Sequence, residues 1–255
     1  MTLNERQEAK LEARGRIHWF DQKTNIFYKL YKKGNLLDDA KDLKIRLSQI
    51  IKLSSSMEFI PEISYTYEED LLIMRQNKLK KDNQLDKIEP FEKKLSLVRQ
   101  FAQSLDKLHS AGFIHGDINR KNILYSDDRL CLIDFEPSLL QVKEQTKQWM
   151  STRPYRHNED IKNNTVTVKS DLLGFGCFVK WFLMGSNPPQ DYADECSRII
   201  NEYEVEFLPF ENFLEILLKR NSRESRPLTK LQRKKEDARF KKHIKNIAKS
   251  YAEEP

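Results

Sequence analysis

The sequence predicts an α+β fold of two unequal lobes: a small β-rich amino-terminal lobe with one main helix, and a larger helical carboxy-terminal lobe. Three observations predict it. Residues 16–32 alternate like two strands, residues 35–53 carry apolar side chains at helical spacing, and the apolar stretches after residue 90 are mostly helical in period or apolar on every side. A chain of 255 residues is long enough to bury a sizeable core as one domain. We divide it into a reduced amino-terminal lobe with its connector (1–77), a larger lobe (78–230) and a basic tail (231–255).

Taken in order, Arg16 to Phe20 and Asn25 to Lys32 read as two strands joined by the turn sequence Asp21 to Thr24. Lys29 stands inside the second between apolar neighbours, a position that also suits a solvent-facing lysine on a half-buried strand. In the helix at 35–53, Leu36, Ala40, Leu43, Leu47 and Ile50 share one face. Asp70 to Asn77 reads as an edge-like strand running into a connector, and charged, turn-rich sequence follows to Glu89. Beyond it, Val98, Phe101, Ala102, Leu105 and Leu108 form one apolar helix face, with Gly112 placed to cap the carboxy-terminal end. Residues 123–133 read as two short strands around a turn at Ser126 to Arg129, a hairpin that brings Asn122 and Asp134 together. Ser170 to Gly185 is apolar all round, so it belongs inside the protein.

The segment Ile114 to Pro137 carries the chemistry. Asp117 precedes Asn122 by five positions, and Asp134 closes the apolar run Leu130 to Ile133. Phosphoryl transfer asks for little covalent chemistry but needs a divalent metal against the phosphates and a carboxylate beside the attacking hydroxyl. Two carboxylates and an amide oxygen are the hard ligands that suit Mg²⁺.

HGDINRKN, His115 to Asn122, resembles the protein-kinase catalytic loop, and LIDFE, Leu132 to Glu136, resembles the family's metal-binding Asp-Phe-Gly with its glycine replaced. The resemblance implies a two-lobed, ATP-dependent kinase. By it, Asp117 orients or deprotonates the acceptor hydroxyl, Asn122 and Asp134 hold Mg²⁺ or Mn²⁺, and Lys29 contacts the α- and β-phosphates. Met74 takes the position behind the adenine, and the backbone of Arg75 to Asn77 meets the base. His115 is implied as a brace for the loop. Downstream, Ser151 to Asp160 is similar to the end of the family's activation segment, with Thr152 at the peptide-positioning threonine and Glu159 at the acidic position. Ser170 to Gly185 resembles the buried helix supporting the catalytic loop, with Asp171 accepting backbone N–H groups. Phe213 to Pro227 resembles a late helix and its Arg-Pro pair, which implies an ion pair from Arg226 to Glu159.

The chain departs from the family at several points. Only Gly15 and Gly34 occur in the first hundred residues, so the glycine-rich loop over the phosphates is missing. Arg46 occupies the helix position of the glutamate that pairs with the strand lysine, leaving Asp42, then Asp39, as substitutes. Gly116 replaces the arginine that reads a phosphorylated loop, a feature shared with RIO-type and aminoglycoside- or choline-type kinases. Where serine/threonine kinases carry a lysine stands Asn119, followed by Arg120 and Lys121; we count Asn119 and Lys121 with Asp117 as catalytic candidates. The peptide-binding segment at 151–159 implies a protein acceptor and serine or threonine hydroxyls. A small-molecule kinase acting on a sugar, antibiotic or lipopolysaccharide core, and a catalytically weak pseudokinase serving as a binding module, are the alternatives.

Composition narrows the setting. Hydrophobic residues make up 38% and charged residues 33%, and no apolar run approaches the roughly 18 residues of a membrane span. The amino terminus lacks the apolar segment of a signal peptide. Cys131, Cys177 and Cys196 have no metal-ligand spacing, and a reducing, cytoplasmic setting is expected. The basic stretch 230–250, with Phe240, Ile244, Ile247 and Tyr251 at helical spacing, explains much of the +6 net charge. We expect it to dock its apolar stripe on the large lobe, in preference to binding nucleic acid or a membrane surface.

Overall fold

The computed structural model describes residues 3, 5–14, 16–32, 40–68, 71–77, 79, 85–135, 162, 167–184, 190–202 and 208–221. The smaller lobe is one antiparallel sheet in the order β1-β2-β4-β3, made of β1 (Arg16–Asp21), β2 (Ile26–Lys32), β3 (Ile63–Glu68) and β4 (Leu71–Asn77). Its β1–β2 turn is set by Asp21, whose carboxylate accepts from the Lys23 N–H and the Thr24 hydroxyl, both at 2.9 Å. Strand alternation gives the sheet two apolar faces. Ile17, Leu30 and Ile73 meet Leu11 of helix α1 (Glu5–Arg14) on the outer face. Tyr31, Leu72 and Met74 face inward and join the main core with Leu47 and Ile50 of α2 (Ala40–Ser56).

Two of these elements were not expected. Helix α1 has Leu11 as its one large apolar residue, so there was no period to read; the fold buries that residue, and most of the rest of the helix is charged. Strand β3 did carry a signal, the alternation of Ile63, Tyr65 and Tyr67. The main helix is described from Ala40 to Ser56, three residues beyond the expected end at 53; residues 33–39, Asp39 and the expected start included, lie outside the described residues.

In the larger lobe, α3 (Phe91–Ser110) buries Val98, Phe101, Ala102, Leu105 and Leu108 along one stripe. Its end is shaped by Gly112 at φ +75°, whose N–H donates to the His109 carbonyl at 2.8 Å. The left-handed conformation costs glycine nothing sterically. The hairpin β5 (Ile123–Ser126) and β6 (Arg129–Leu132) follows, and then α4 (Val168–Met184), buried continuously from Ser170 to Val179. Helix α5 (Gln190–Glu202) was not anticipated, although Tyr192, Ala193, Cys196, Ile199 and Ile200 share a helical face and all are buried. Helix α6 (Phe210–Asn221) starts where the Asp106 carboxylate accepts from the Phe210 and Glu211 N–H groups at 2.7 and 3.1 Å. Burial outweighs those bonds and raises the Asp106 pKa.

The lobes are joined by a backbone bond as well as by apolar packing. The Leu132 N–H of β6 donates to the Phe59 carbonyl in the loop after α2, at 2.8 Å. Phe59 packs edge-on against Phe101 with ring centroids 6.2 Å apart, and Arg129 pairs with Glu58 beside it. Among the described residues, no helix is long and apolar enough to cross a membrane. All three cysteines are buried and free, and burial pushes the Cys131 and Cys177 thiols up to about 11 and about 12. Such thiols are inert at neutral pH.

Candidate active site

The loop from His115 to Asn122 is held from below by α4. The buried Asp171 carboxylate accepts from the His115 N–H (2.8 Å) and Gly116 N–H (2.7 Å), and His109 Nε2 lies 2.9 Å away. Asp171 therefore receives N–H groups of the loop in front of its helix. Gly174, one turn further along, lets the loop sit directly on the helix. A Cβ at that position would overlap the Ile118 carbonyl oxygen and stand 3.1 Å from its carbon. Gly116 takes φ +85°, so the loop turns there through a conformation that an arginine would adopt only with strain.

His115 is fully buried and acts as a brace. Its Nε2 donates to the Ile133 carbonyl at 3.0 Å, its Nδ1 accepts from the Asp117 N–H at 3.2 Å, and its ring packs edge-on against Phe135 at 4.8 Å. Burial lowers its pKa, in keeping with a neutral ring that donates at one nitrogen and accepts at the other. The Ile133 N–H in turn donates to the Asn122 carbonyl at 2.9 Å, closing the loop onto the hairpin and placing Asp134 beside it. Asp134 itself sits at φ +72°, a left-handed position that is uncommon for a residue with a side chain.

The candidate residues fall into three groups. Asn122 Nδ2 donates to both the Asp117 carbonyl and Asp117 Oδ2, each at 2.9 Å, so these two form one unit. Lys29 forms an ion pair with Asp134, which joins the sheet to the hairpin across 105 residues of sequence. Asn119 is buried, and its amide is used within the loop: Nδ2 donates to the Asp117 carbonyl at 3.1 Å and Oδ1 accepts from the Lys121 N–H at 2.9 Å. That geometry makes Asn119 a brace; Arg120 and Lys121 are the exposed side chains of the loop, with the Arg120 guanidinium 5.6 Å over the Trp181 ring.

On the sheet, Met74 is buried directly opposite Lys29 and shares its face. The Arg75 side chain lies on the other face, over Tyr28 at 6.0 Å. Asn77 ties the end of β4 to the start of β3, its N–H donating to the Glu62 carbonyl at 3.0 Å and its side chain to the Glu62 carboxylate at 2.6 Å. The Asn77 N–H is thus spent inside the sheet, so it is not a donor for a base. Asp42 lies on α2 with its side chain outside the described residues, as are Thr152, Glu159, Arg226 and the tail. Sequence reasoning missed His109 and Gly174; nothing in the local pattern distinguishes a loop-bearing glycine or histidine from any other.

Comparison with known proteins agrees with this arrangement. A model of the protein kinase domain matches residues 24–249. The chain is similar to serine/threonine-protein kinase PDK1 of Cryptococcus neoformans, 28% identical over 42% of this chain and 10% of that protein. It is similar to the KEOPS complex subunit Bud32 of Pyrococcus abyssi, 26% identical over 46% of this chain and 57% of that protein. Serine/threonine-protein kinase PknH of Mycobacterium tuberculosis is 27% identical over 43% of this chain and 18% of its own length. The aligned stretches thus cover between a tenth and somewhat over half of these relatives. With a family match across most of its length, a small antiparallel sheet over a helical lobe, and the loop and hairpin just described, the chain belongs to the protein kinase domain family, a family of ATP-dependent kinases.

Proposed function

We propose that the chain is a protein kinase that uses ATP with Mg²⁺ or Mn²⁺ and transfers the γ-phosphate to serine or threonine hydroxyls. One juxtaposition carries this: the Asp117–Asn122 unit on the loop and the Lys29–Asp134 pair between the lobes, held together by the Ile133 N–H bond to Asn122. Lys29 marks the phosphate end of the site. Asn122 turns its amide nitrogen to Asp117, which leaves its oxygen, with the Asp134 carboxylate, as the hard donors for a divalent cation. Two protein ligands with substrate phosphate completing the sphere is the usual pattern for Mg²⁺. When bound, such an ion neutralises charge on the phosphates.

Asp117 Oδ2, fixed at 2.9 Å by Asn122, is the base for the acceptor hydroxyl. The acceptor oxygen bonds to the γ-phosphorus as the bond to the β–γ bridging oxygen breaks; the hydroxyl proton passes to Asp117 and ADP leaves. Exposed Lys121 or Arg120 steadies charge on the transferring group. The serine/threonine kinases among the relatives, and the peptide-binding segment expected at 151–159, favour a protein acceptor.

Incubation with labelled ATP, Mg²⁺ and a generic protein acceptor tests this. Label on protein that is lost in Asp117→Ala and Asp134→Ala supports the proposal. Turnover only with a soluble hydroxyl compound would replace it with a small-molecule kinase, and nucleotide binding without turnover would replace it with a binding module.

A further inference from the structure

We infer that this kinase selects its acceptor by charge: Arg120, held against Trp181, pairs with an aspartate or glutamate about three residues from the hydroxyl that is phosphorylated. The inference rests on the reading above that Asp117 is the base for a protein acceptor. Within that reading the two exposed cations of the loop have separate roles. Lys121 directly precedes the candidate metal ligand Asn122 and serves the phosphate, while Arg120 is drawn away to α4 and serves the acceptor.

The packing of the loop on α4 sets the distance. Gly174 lies beneath Ile118, the residue after Asp117. Trp181 follows two turns later on the same face of the helix, about 10 Å further along its axis. The Arg120 guanidinium lies over that ring, 5.6 Å from its centroid, within the range of a cation–π contact. The ring is itself half-buried and packed on Phe178 with centroids 6.1 Å apart, so the seat is fixed. Contact with a ring engages the face of a guanidinium; its N–H groups lie in the plane, in the fork that matches a carboxylate. An extended peptide advances about 3.3 Å per residue, so a charge about 10 Å from the base meets a side chain about three residues from the acceptor hydroxyl.

The charges of the two elements favour an acidic partner there. Apart from Asp117, the loop from His115 to Asn122 carries Arg120 and Lys121 and no acidic residue. On α4 the one carboxylate, Asp171, is fully buried and bonded to the loop, while Lys169 and Lys180 are half-buried. The loop and α4 therefore surround a single negative group, the base, with positive charge. An acidic acceptor segment is attracted, and a basic one is rejected by like charge.

Steady-state transfer from ATP and Mg²⁺ to peptides with one serine in a neutral background tests this on the full chain, with Asp, Ala or Arg placed in turn at each position on either side. The wild type should show kcat/KM roughly 5-fold higher for Asp than for Ala about three positions from the serine, as one exposed ion pair provides. High salt should shrink that ratio. Arg120→Gln should abolish the preference, and Arg120→Glu should pass it to the Arg peptide. Trp181→Leu, which keeps apolar bulk without the ring, should retain only part of it. Each ratio compares peptides on one enzyme, so a general loss of rate cancels, and activity on the Ala peptide shows that a variant is folded. Equal rates for Asp and Ala peptides at every position, or an Asp preference that survives Arg120→Gln, would overturn the inference and leave the kinase reading standing. Transfer to a folded protein but to none of the peptides would overturn it too, because recognition would not rest on an extended segment. Transfer to no acceptor of any kind would overturn the kinase reading itself.

Discussion

Replacing Gly174 with alanine sets two large effects against each other. In an ordinary helix interior the change stabilises by about 1 kcal/mol, because alanine loses less backbone entropy than glycine. Here the new methyl would overlap the Ile118 carbonyl oxygen and stand 3.1 Å from the carbonyl carbon and 3.2 Å from Ile118 Cβ. The atoms in the way are backbone atoms of the loop from His115 to Asn122, and Asp171 holds that backbone down through the His115 and Gly116 N–H groups. Neither side yields cheaply, so the cost falls at the upper end of the overpacking range, about 3 kcal/mol. With about 1 kcal/mol returned by helix propensity, the net loss is about 2 kcal/mol.

Catalysis suffers more than stability, because relieving the overlap means lifting Ile118, the residue after Asp117. A displacement of about 1 Å at a reacting group costs on the order of 100-fold in rate. Gly176→Ala is the matched comparison. Its methyl would meet Cys196 Sγ and the Phe213 ring at 3.1 Å, core side chains with no connection to the loop. Urea unfolding and steady-state phosphate transfer on both variants should therefore show Gly174→Ala losing about 2 kcal/mol and roughly 100-fold in kcat, and Gly176→Ala losing stability alone. A Gly174→Ala protein with unchanged or raised stability and normal turnover would show that the loop does not rest on this helix.

Asp171→Ala should be more damaging to the fold: three buried donors, the His115 and Gly116 N–H groups and the His109 ring, lose their shared acceptor. At about 1 kcal/mol or more each, the loss of roughly 3 kcal/mol or more lowers Tm by at least about 6 °C, read by thermal melting. Arg129→Ala should cost under about 1 kcal/mol, because its partner Glu58 is well exposed and the pair is screened by salt; a double-mutant cycle with Glu58→Ala at low and high salt measures it. The His115 pKa is lowered by burial from its ordinary 6.5, so the unfolded chain binds the proton first. Stability from this group is complete above pH about 6.5 and declines as pH falls toward the folded value; urea midpoints from pH 8 to 5 should show the decline in the wild type and a shallower one in His115→Gln.

The sequence was most legible where polar spacing and apolar period agree. The hairpin at 123–133 was readable because turn residues separate two apolar runs, and closing it necessarily brings Asn122 near Asp134. The buried helix was readable because a helix apolar on every side has nowhere else to go. What stayed hidden depended on contacts between distant segments. Asp171 was expected to accept backbone N–H groups, but which groups they were depended on how α4 crosses the loop. The ion pair between Lys29 and Asp134 was hidden for the same reason, because 105 residues of sequence separate the two.

That pairing changes what the small lobe has to accomplish. Without a glycine-rich loop, a lobe of four strands must still present a cation at a fixed place above the hairpin. On the outer face Leu11 of α1 packs against Ile17, Leu30 and Ile73, and on the inner face Leu47 and Ile50 of α2 share a core with Tyr31, Leu72 and Met74. Leu30 and Tyr31, which follow Lys29 along β2 and point to opposite faces, are both buried, so the strand that carries Lys29 is anchored on each side of the sheet. The floor is equally constrained, since the Leu132 N–H bonds directly to the Phe59 carbonyl of the small lobe, two residues before Asp134. The separation of Lys29 from Asp134 is therefore set by packed backbone at both ends and does not require a loop to close over the nucleotide.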